Sequence, residues 1–396
     1  MYAARDRLRF WGLAYALLLL LTGTNLATPL YGLYQQRFGF SPVTVTLIFA
    51  VYVATLIPAL LLAGPLADAV GRRAVLVPAV LLAMVGTGLF AIAGSVGALF
   101  LARIIQGASV GAASGALTAA IADAAPPDGQ RRASLVATAA SVGGLGLGPL
   151  LAGLVAELAP RPLLMPFLVE LVALLPALAA VLLIPAPRER HRWRPRVPRV
   201  PADARSIFWL SGIASFLAFS VTGLFLALAP TFIQTLSGRR SLILGGVAVA
   251  LMIAASVAAQ LLGSRIITPR SQIPGLIALT LGLLCLAASG LWQSLPLLLI
   301  AALAAGIGQG VVFLGGLSEV TRSAAADQRA SVVSAFYVLV YLGVGLPVIG
   351  AGVLATRVGL VTSVEIFAGI VAVCCLVSAG ILHPLLRRHH GLQPAA

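Results

Sequence analysis

The residues LFLARIIQGASVGAASGALTAAIADA, 99–124, set one Arg, Arg103, inside an apolar run, followed by Gln106 and Gly107. A guanidinium at membrane depth costs at least about 2.5–3.5 kcal/mol on insertion scales, so Arg103 needs either carbonyl partners on a neighbouring helix or a water-filled cavity. The same run spells G-x-S-x-G from Gly107 through Ser109 to Gly111. A nucleophile elbow requires a strand-to-helix turn and a His base, but the run is continuous apolar helix and the four His stand at 191, 383, 389 and 390. Small residues for close helix packing remain the reading. Glu170 is a carboxyl inside another apolar run; it either carries protons or serves a structural, interfacial role. The glycines 144, 146 and 148 fail as a dinucleotide loop because no βαβ unit surrounds them. Gly144, Gly148, Ala152 and Gly153 instead put small residues on a helix face, and Pro149 removes a backbone bond and permits a kink.

What positions these residues follows from composition. The 396 residues are 60% hydrophobic and 9% charged, against about 25% charged in soluble domains. Twelve helices of roughly 20 apolar residues each would account for that hydrophobic share. All 26 basic residues are Arg. Without Lys, neither a P-loop ATPase nor Schiff-base chemistry is available to this chain. Cys285, Cys374 and Cys375 lie in apolar runs and offer neither a disulfide framework nor spaced metal ligands. No cofactor and no metal are expected, and no enzymatic activity.

Apolar runs fall at about 10–31, 42–63, 74–94, 97–121, 133–157, 163–184, 206–231, 242–263, 272–291, 294–316, 331–355 and 360–382. The first is too long for a signal peptide and continues into further spans. The predicted fold is an all-α polytopic membrane protein of twelve transmembrane helices in two pseudo-symmetric six-helix bundles, residues 1–184 and 206–396. With the N-terminus inside, twenty Arg fall on cytoplasmic segments and five outside, the remaining one being Arg103. That asymmetry predicts both termini in the cytoplasm and assigns most of the net charge of +15 to topology, not to nucleic-acid binding. The linker 185–205 holds seven Arg among its prolines: it either lies solvated near the membrane surface or grips an acidic partner or headgroups.

A repeat supports the two halves. The stretch that begins at Asp128 resembles the one that begins at Asp327, and an offset of 197 pairs Arg132 with Arg329, Gly146 with Gly343 and Gly153 with Gly350. Gln106 and Gly107 recur as Gln309 and Gly310. Halves related by an axis along the membrane normal, with a site between them, form a transporter arrangement.

Between the second and third spans, GPLADAVGRR runs from Gly64 to Arg73. Gly64 and Gly71 allow a tight turn, Asp68 can cap a helix end or pair with Arg, and Arg72 and Arg73 hold the loop inside. The pattern resembles the signature loop of the major facilitator superfamily, with Ala69 where Arg is common. The resemblance makes Gly64, Asp68, Gly71, Arg72 and Arg73 a conformational latch. The second-half counterpart, 259–270, has Ser264 where Asp68 aligns. Arg103 with Gln106 and Gly107 resembles the helix 4 motif linked to proton coupling. Gly144, Gly148, Pro149, Ala152 and Gly153 resemble the helix 5 motif of the superfamily's antiporters, many of them drug exporters; a tightly packed helix in any facilitator is the other reading.

By resemblance, helices 1, 4, 7 and 10 line a central cavity. Thr22, Asn25, Thr28, Tyr31, Tyr52, Ser109, Thr222, Phe225, Gln309, Phe313, Tyr337 and Tyr341 are its candidate lining, though each polar one also serves as interhelical glue. The expected function is alternating-access transport of a small organic molecule, as proton-coupled efflux of a drug or metabolite, against import or uniport of a sugar or organic acid. The expected partners are the small-molecule substrate, protons and the lipid bilayer, with no nucleic acid. The expected setting is a monomer in the inner or plasma membrane.

Overall fold

The structure, a computed structural model, describes residues 2–126, 129–185, 193, 198–202, 204–237, 241–325 and 328–391. Most of the basic linker therefore lies outside the described residues. Among the described residues, twelve helical segments are long and apolar enough to span a bilayer. Their outward faces are apolar, as lipid requires: Val85 is 51% exposed, Val172 67% and Val373 60%.

The chain divides into two compact units, residues 1–196 with 241–250, and 197–240 with 251–396. In the first, span 1 is built from α1 (Tyr2–Leu26), a 3-10 turn (Thr28–Leu30) and α2 (Tyr31–Phe38). The interruption falls beside Pro29, which has no N–H to continue the ladder. Spans 2 to 6 are α3 (Pro42–Val70), α4 (Arg72–Ala91), α5 (Val96–Ala124), α6 (Gln130–Leu158) and α7 (Met165–Leu182). The N-terminal half of α10 (Leu242–Gly263) also belongs to this unit. At one end of the unit Phe90 stacks on Phe167 with ring centroids 5.3 Å apart, and the Tyr34 hydroxyl donates to the Phe90 carbonyl at 3.0 Å.

The second unit holds α8 (Arg205–Ala227), α9 (Ala229–Ser237), the rest of α10, α11 (Gln272–Leu291), α12 (Leu295–Arg322), α13 (Arg329–Val358) and α14 (Leu360–Gly391). Its core includes Phe208, Val320, Val332, Phe336 and Val340. The repeat extends to helix starts: Ser95 caps α5 by accepting from the Ala98 N–H, and Ser294 caps α12 by accepting from the Leu297 N–H.

The loop reading of 64–73 needs one correction. Gly64 is not in a turn: α3 runs unbroken through it to Val70, and Gly64 is an exposed helical residue with open space around it. The turn rests on Gly71 alone, at φ +91°, a conformation that side-chain-bearing residues rarely adopt.

Candidate functional site

Arg103 is fully buried in α5. Its Nε donates to the Tyr31 hydroxyl at 2.7 Å, and Nη1 donates to the Thr24 carbonyl at 2.6 Å and to Gln106 Oε1 at 3.1 Å. Gln106 in turn donates from Nε2 to the Gly23 carbonyl at 3.3 Å. Both carbonyls are available because they belong to the last four of α1, which have no intrahelical donor. The break beside Pro29 thus makes the acceptors that a buried guanidinium needs. The rings of Tyr31, Tyr52 and Phe90 surround the charge, each with its centroid 5.5 Å from the guanidinium carbon. Hydrogen bonds to charged groups are worth about 1.5–3 kcal/mol each. Three of them are comparable with or exceed the insertion cost, so Arg103 is held without a carboxylate partner. Its Nη2 has no hydrogen-bond partner among the described residues.

Glu170 of α7 meets the same turn of α1 at Gly23. It is 1% exposed, and neither carboxyl oxygen has a hydrogen-bond partner among the described residues. A Cβ on Gly23 would lie 2.8 Å from Glu170 Oε1, so the carboxyl occupies the space that the missing side chain leaves. Arg103 and Gln106 approach α1 through its carbonyls, and Glu170 through the Cα of Gly23. A buried cation and a buried acid therefore meet one segment of backbone, each with unused hydrogen-bonding capacity.

Gly107, expected beside Arg103 in proton coupling, faces elsewhere. A Cβ there would strike the Tyr52 carbonyl and the Thr55 hydroxyl, so the residue lets α5 close on α3 and is a packing position. Gly111 meets the Leu56 carbonyl in the same way. Ser109, expected in the cavity lining, is fully buried, and its hydroxyl donates to the Ala79 carbonyl of α4 at 2.7 Å, joining two helices.

In α6, Cβ atoms on Gly144 and Gly148 would strike the carbonyls of Leu18 and Thr22, so this face seats α6 on α1. Ala152 is fully buried, and Gly153 meets the Leu242 carbonyl at the start of α10. Pro149 leaves the carbonyl four residues back, that of Leu145, without its helical N–H. Asn25 Nδ2 donates to that carbonyl at 3.2 Å. Asn25 is thereby engaged in the α1–α6 contact, and Thr22 donates to its own helix at the Leu18 carbonyl. Thr28 is buried with an unpartnered hydroxyl among the described residues.

Asp68 is exposed and makes no hydrogen bond or ion pair among the described residues. Arg72 pairs instead with Asp123 at the end of α5, and Arg73 is half-buried.

In the second unit Gln309 accepts from the Ser256 hydroxyl of α10, and Gly310 packs on the Ser256 backbone, repeating within this unit the way Gly107 packs α5 on α3. Phe225 is 1% exposed and turns into the core among Phe232, Leu286 and Val364. Phe313, Tyr337 and Tyr341 are half-buried and adjoin: Phe313 to Tyr337 is 6.0 Å and Tyr337 to Tyr341 is 6.4 Å between ring centroids. Thr222 bonds only weakly to the Ala218 carbonyl of its own helix, at 3.5 Å.

Sequence reasoning missed Gly23, Phe90 and the Arg72–Asp123 pair. Gly23 and Phe90 carry no local signal, since both act through helices far away in the chain. The pair joins two helix ends, and both residues were visible there as charges flanking apolar runs.

Twelve apolar helices among the described residues, with a sequence repeat between the two units, define a multi-pass membrane protein. The sequence profile of the Major Facilitator Superfamily matches residues 13–346, and the chain belongs to that family. A curated relative is the puromycin resistance protein pur8 of Streptomyces alboniger, 36% identical over 163 residues. That match takes in 38% of this chain and 31% of the relative, so the chain spans about a third of that protein's length. Among solved structures, a bacterial homolog of the human lysosomal transporter Spinster superposes with a TM-score of 0.74 at 17% identity, covering 96% of this chain and 95% of that one. The peptide transporter POT in complex with sulfate gives 0.79 at 15% identity, covering 96% and 94%. At these identities the structures establish the shared fold. Members of the family are transporters.

Proposed function

We propose that the chain exports a small organic molecule in exchange for protons across the cell membrane, its six-helix halves, 1–184 and 206–396, alternating access about a basic linker, 185–205, with both termini cytoplasmic. The carrying observation is the pair of buried groups at the end of α1. A carboxyl with no partner is costly to ionise in a dry interior and much less costly as the neutral acid. Glu170 therefore takes and releases a proton as its surroundings change, and Arg103, through Gln106 and α1, transmits that change. The small-residue face around Pro149 and the pur8 relative, whose name is puromycin resistance, support export. Asp68, Arg72 and Arg73 act as the latch. Phe313, Tyr337 and Tyr341 of the second unit are the proposed substrate contacts, and the protein works as a monomer.

The test is proton release in everted vesicles, read with a pH-sensitive dye while compounds, puromycin among them, are added. Dissipation of the gradient by a compound, lost in Arg103→Ala and in Glu170→Gln at equal expression, is the expected result. Substrate uptake by whole cells with no proton release in vesicles would overturn it and favour import.

A further inference from the structure

A cavity of about 670 Å³ opens at the end of the first unit where span 1 begins, α5 ends and α6 starts. Its volume is in the range of small-molecule sites. Arg7 and Arg9 of α1, Asp123 of α5 and Arg132 of α6 supply its charged lining. Asp123 is already paired with Arg72, which stands outside the lining, so its charge is cancelled and three guanidinium groups dominate the cavity. Arg132 lies over the Trp11 ring at 5.6 Å, and such stacking fixes the guanidinium plane while leaving its in-plane N–H edge free to donate. Arg9 Nε is shielded from solvent and has no hydrogen-bond partner among the described residues. Arg7 and Arg132 are exposed and Arg9 is half-buried, so the cavity is open on one side and its guanidinium donors converge from two helices, an arrangement that binds tetrahedral oxyanions.

We propose that this cavity binds a phosphate group, and that its occupant in the membrane is the headgroup of an anionic phospholipid. The surroundings supply the rest of the lipid. Leu8 and Trp11, three residues apart on one face of α1, are 66% and 47% exposed, and Leu135, one turn beyond Arg132, is 50% exposed. Apolar surface therefore continues from the charged cavity onto the lipid-facing sides of α1 and α6. The cavity also lies at the ends of three helices, where headgroups sit, and basic pockets between membrane helices select such lipids. The site is separate from the Arg103 and Glu170 groups, and the proposal stands whatever the chain transports.

The full-length protein in nanodiscs of phosphatidylcholine with graded phosphatidylglycerol provides the test, bound lipid being counted by native mass spectrometry. In Arg9→Gln/Arg132→Gln the phosphatidylglycerol needed for half occupancy is expected to rise about 10- to 30-fold. Arg265→Gln/Arg270→Gln, with the same loss of charge in the other unit, is expected to match wild type. Unchanged retention in the first variant, or equal loss in both, would overturn the site. Displacement of the lipid by millimolar inorganic phosphate would overturn the headgroup as its occupant. A second measurement needs no Arg variant: the part of the fluorescence lost in Trp11→Phe is expected to be quenched more by brominated phosphatidylglycerol than by the matching phosphatidylcholine. Equal quenching by the two would count against the proposal.

Discussion

The contact between Asn25 and the Leu145 carbonyl can be isolated energetically, because the chain itself explains why that carbonyl is free. Residue 149 is Pro, so α6 lacks one rung, and Asn25 Nδ2 fills it from α1 at 3.2 Å. Asn25 is buried at 2% exposure and Leu145 is half-buried, so water replaces the amide poorly when it is removed. Interhelical hydrogen bonds in membranes average about 0.6 kcal/mol and reach about 1.7, and a bared buried acceptor costs about 1–3 kcal/mol. Asn25→Ala should therefore destabilise the protein by about 1–2 kcal/mol. Pro149→Ala restores an N–H at position 149 and returns Leu145 to the helical ladder. In that background Asn25→Ala should cost less, with a coupling of about 0.6–1.7 kcal/mol. Unfolding of the four proteins in mixed detergent micelles, followed by circular dichroism, measures the cycle. Additivity within about 0.3–0.5 kcal/mol would refute the reasoning. Transport per folded molecule adds a second readout: if Asn25 acts through α6, the double variant keeps its substrate affinity, whereas a ligand role requires affinity to fall in both backgrounds.

Gly107→Val should destabilise by about 1–3 kcal/mol by overpacking against the Tyr52 carbonyl, visible as reduced thermal stability before any transport measurement. Arg72→Gln and Asp123→Asn should each change stability by no more than about 1 kcal/mol, since the pair is solvent-accessible, yet should slow turnover at unchanged substrate affinity if the loop acts as a latch. Phe313→Ala should raise the apparent substrate KM of transport if the Phe313, Tyr337 and Tyr341 surface contacts substrate, and a KM equal to wild type across all transported compounds would exclude that role. Arg103→Lys, which keeps the charge but loses the planar fork to Tyr31, Thr24 and Gln106, should fail to restore proton release.

The helix count was legible because lipid leaves only one spanning solution for a chain of apolar runs, and each run of about 20 residues is its own evidence. The limits of those runs were less legible. Apolar periodicity ends where lipid ends, but α3 and α5 continue through polar residues to Val70 and Ala124, so Gly64 lies inside a helix and not in the turn. Arg103 announced itself as a charge out of place, and its need for carbonyl partners followed from that. Which carbonyls serve depends on the break at Pro29, a local signal whose consequence is felt about 75 residues along the chain. The contacts of Ser109 and Gly107 were not legible in this way. A small or hydroxylic residue on a helix reads the same whether it faces a cavity or a neighbour, and only the tertiary arrangement of α3 and α4 around α5 separates the two.

The two units have the same plan but different polar contents. Gln106 and Gln309 correspond, as do the glycines after them, and each pair joins a neighbouring helix in its own unit. Counting back three residues from each Gln reaches Arg103 in the first unit and Gly306 in the second, where the glycine packs on the Met252 carbonyl. The charge is thus an addition to one half of the repeat and not part of its packing. A fully satisfied buried network rigidifies a core, whereas a partly satisfied one is costly. Among the described residues Arg103 has three donors engaged and Nη2 without a partner, and Glu170 has neither oxygen partnered, both groups meeting one turn of α1. Packing alone would favour an apolar residue of the same shape at either position. Groups that serve only stability have no reason to keep such vacancies. Groups that exchange partners during a transport cycle must have them in at least one state, which is why the end of α1 is the proposed seat of proton chemistry.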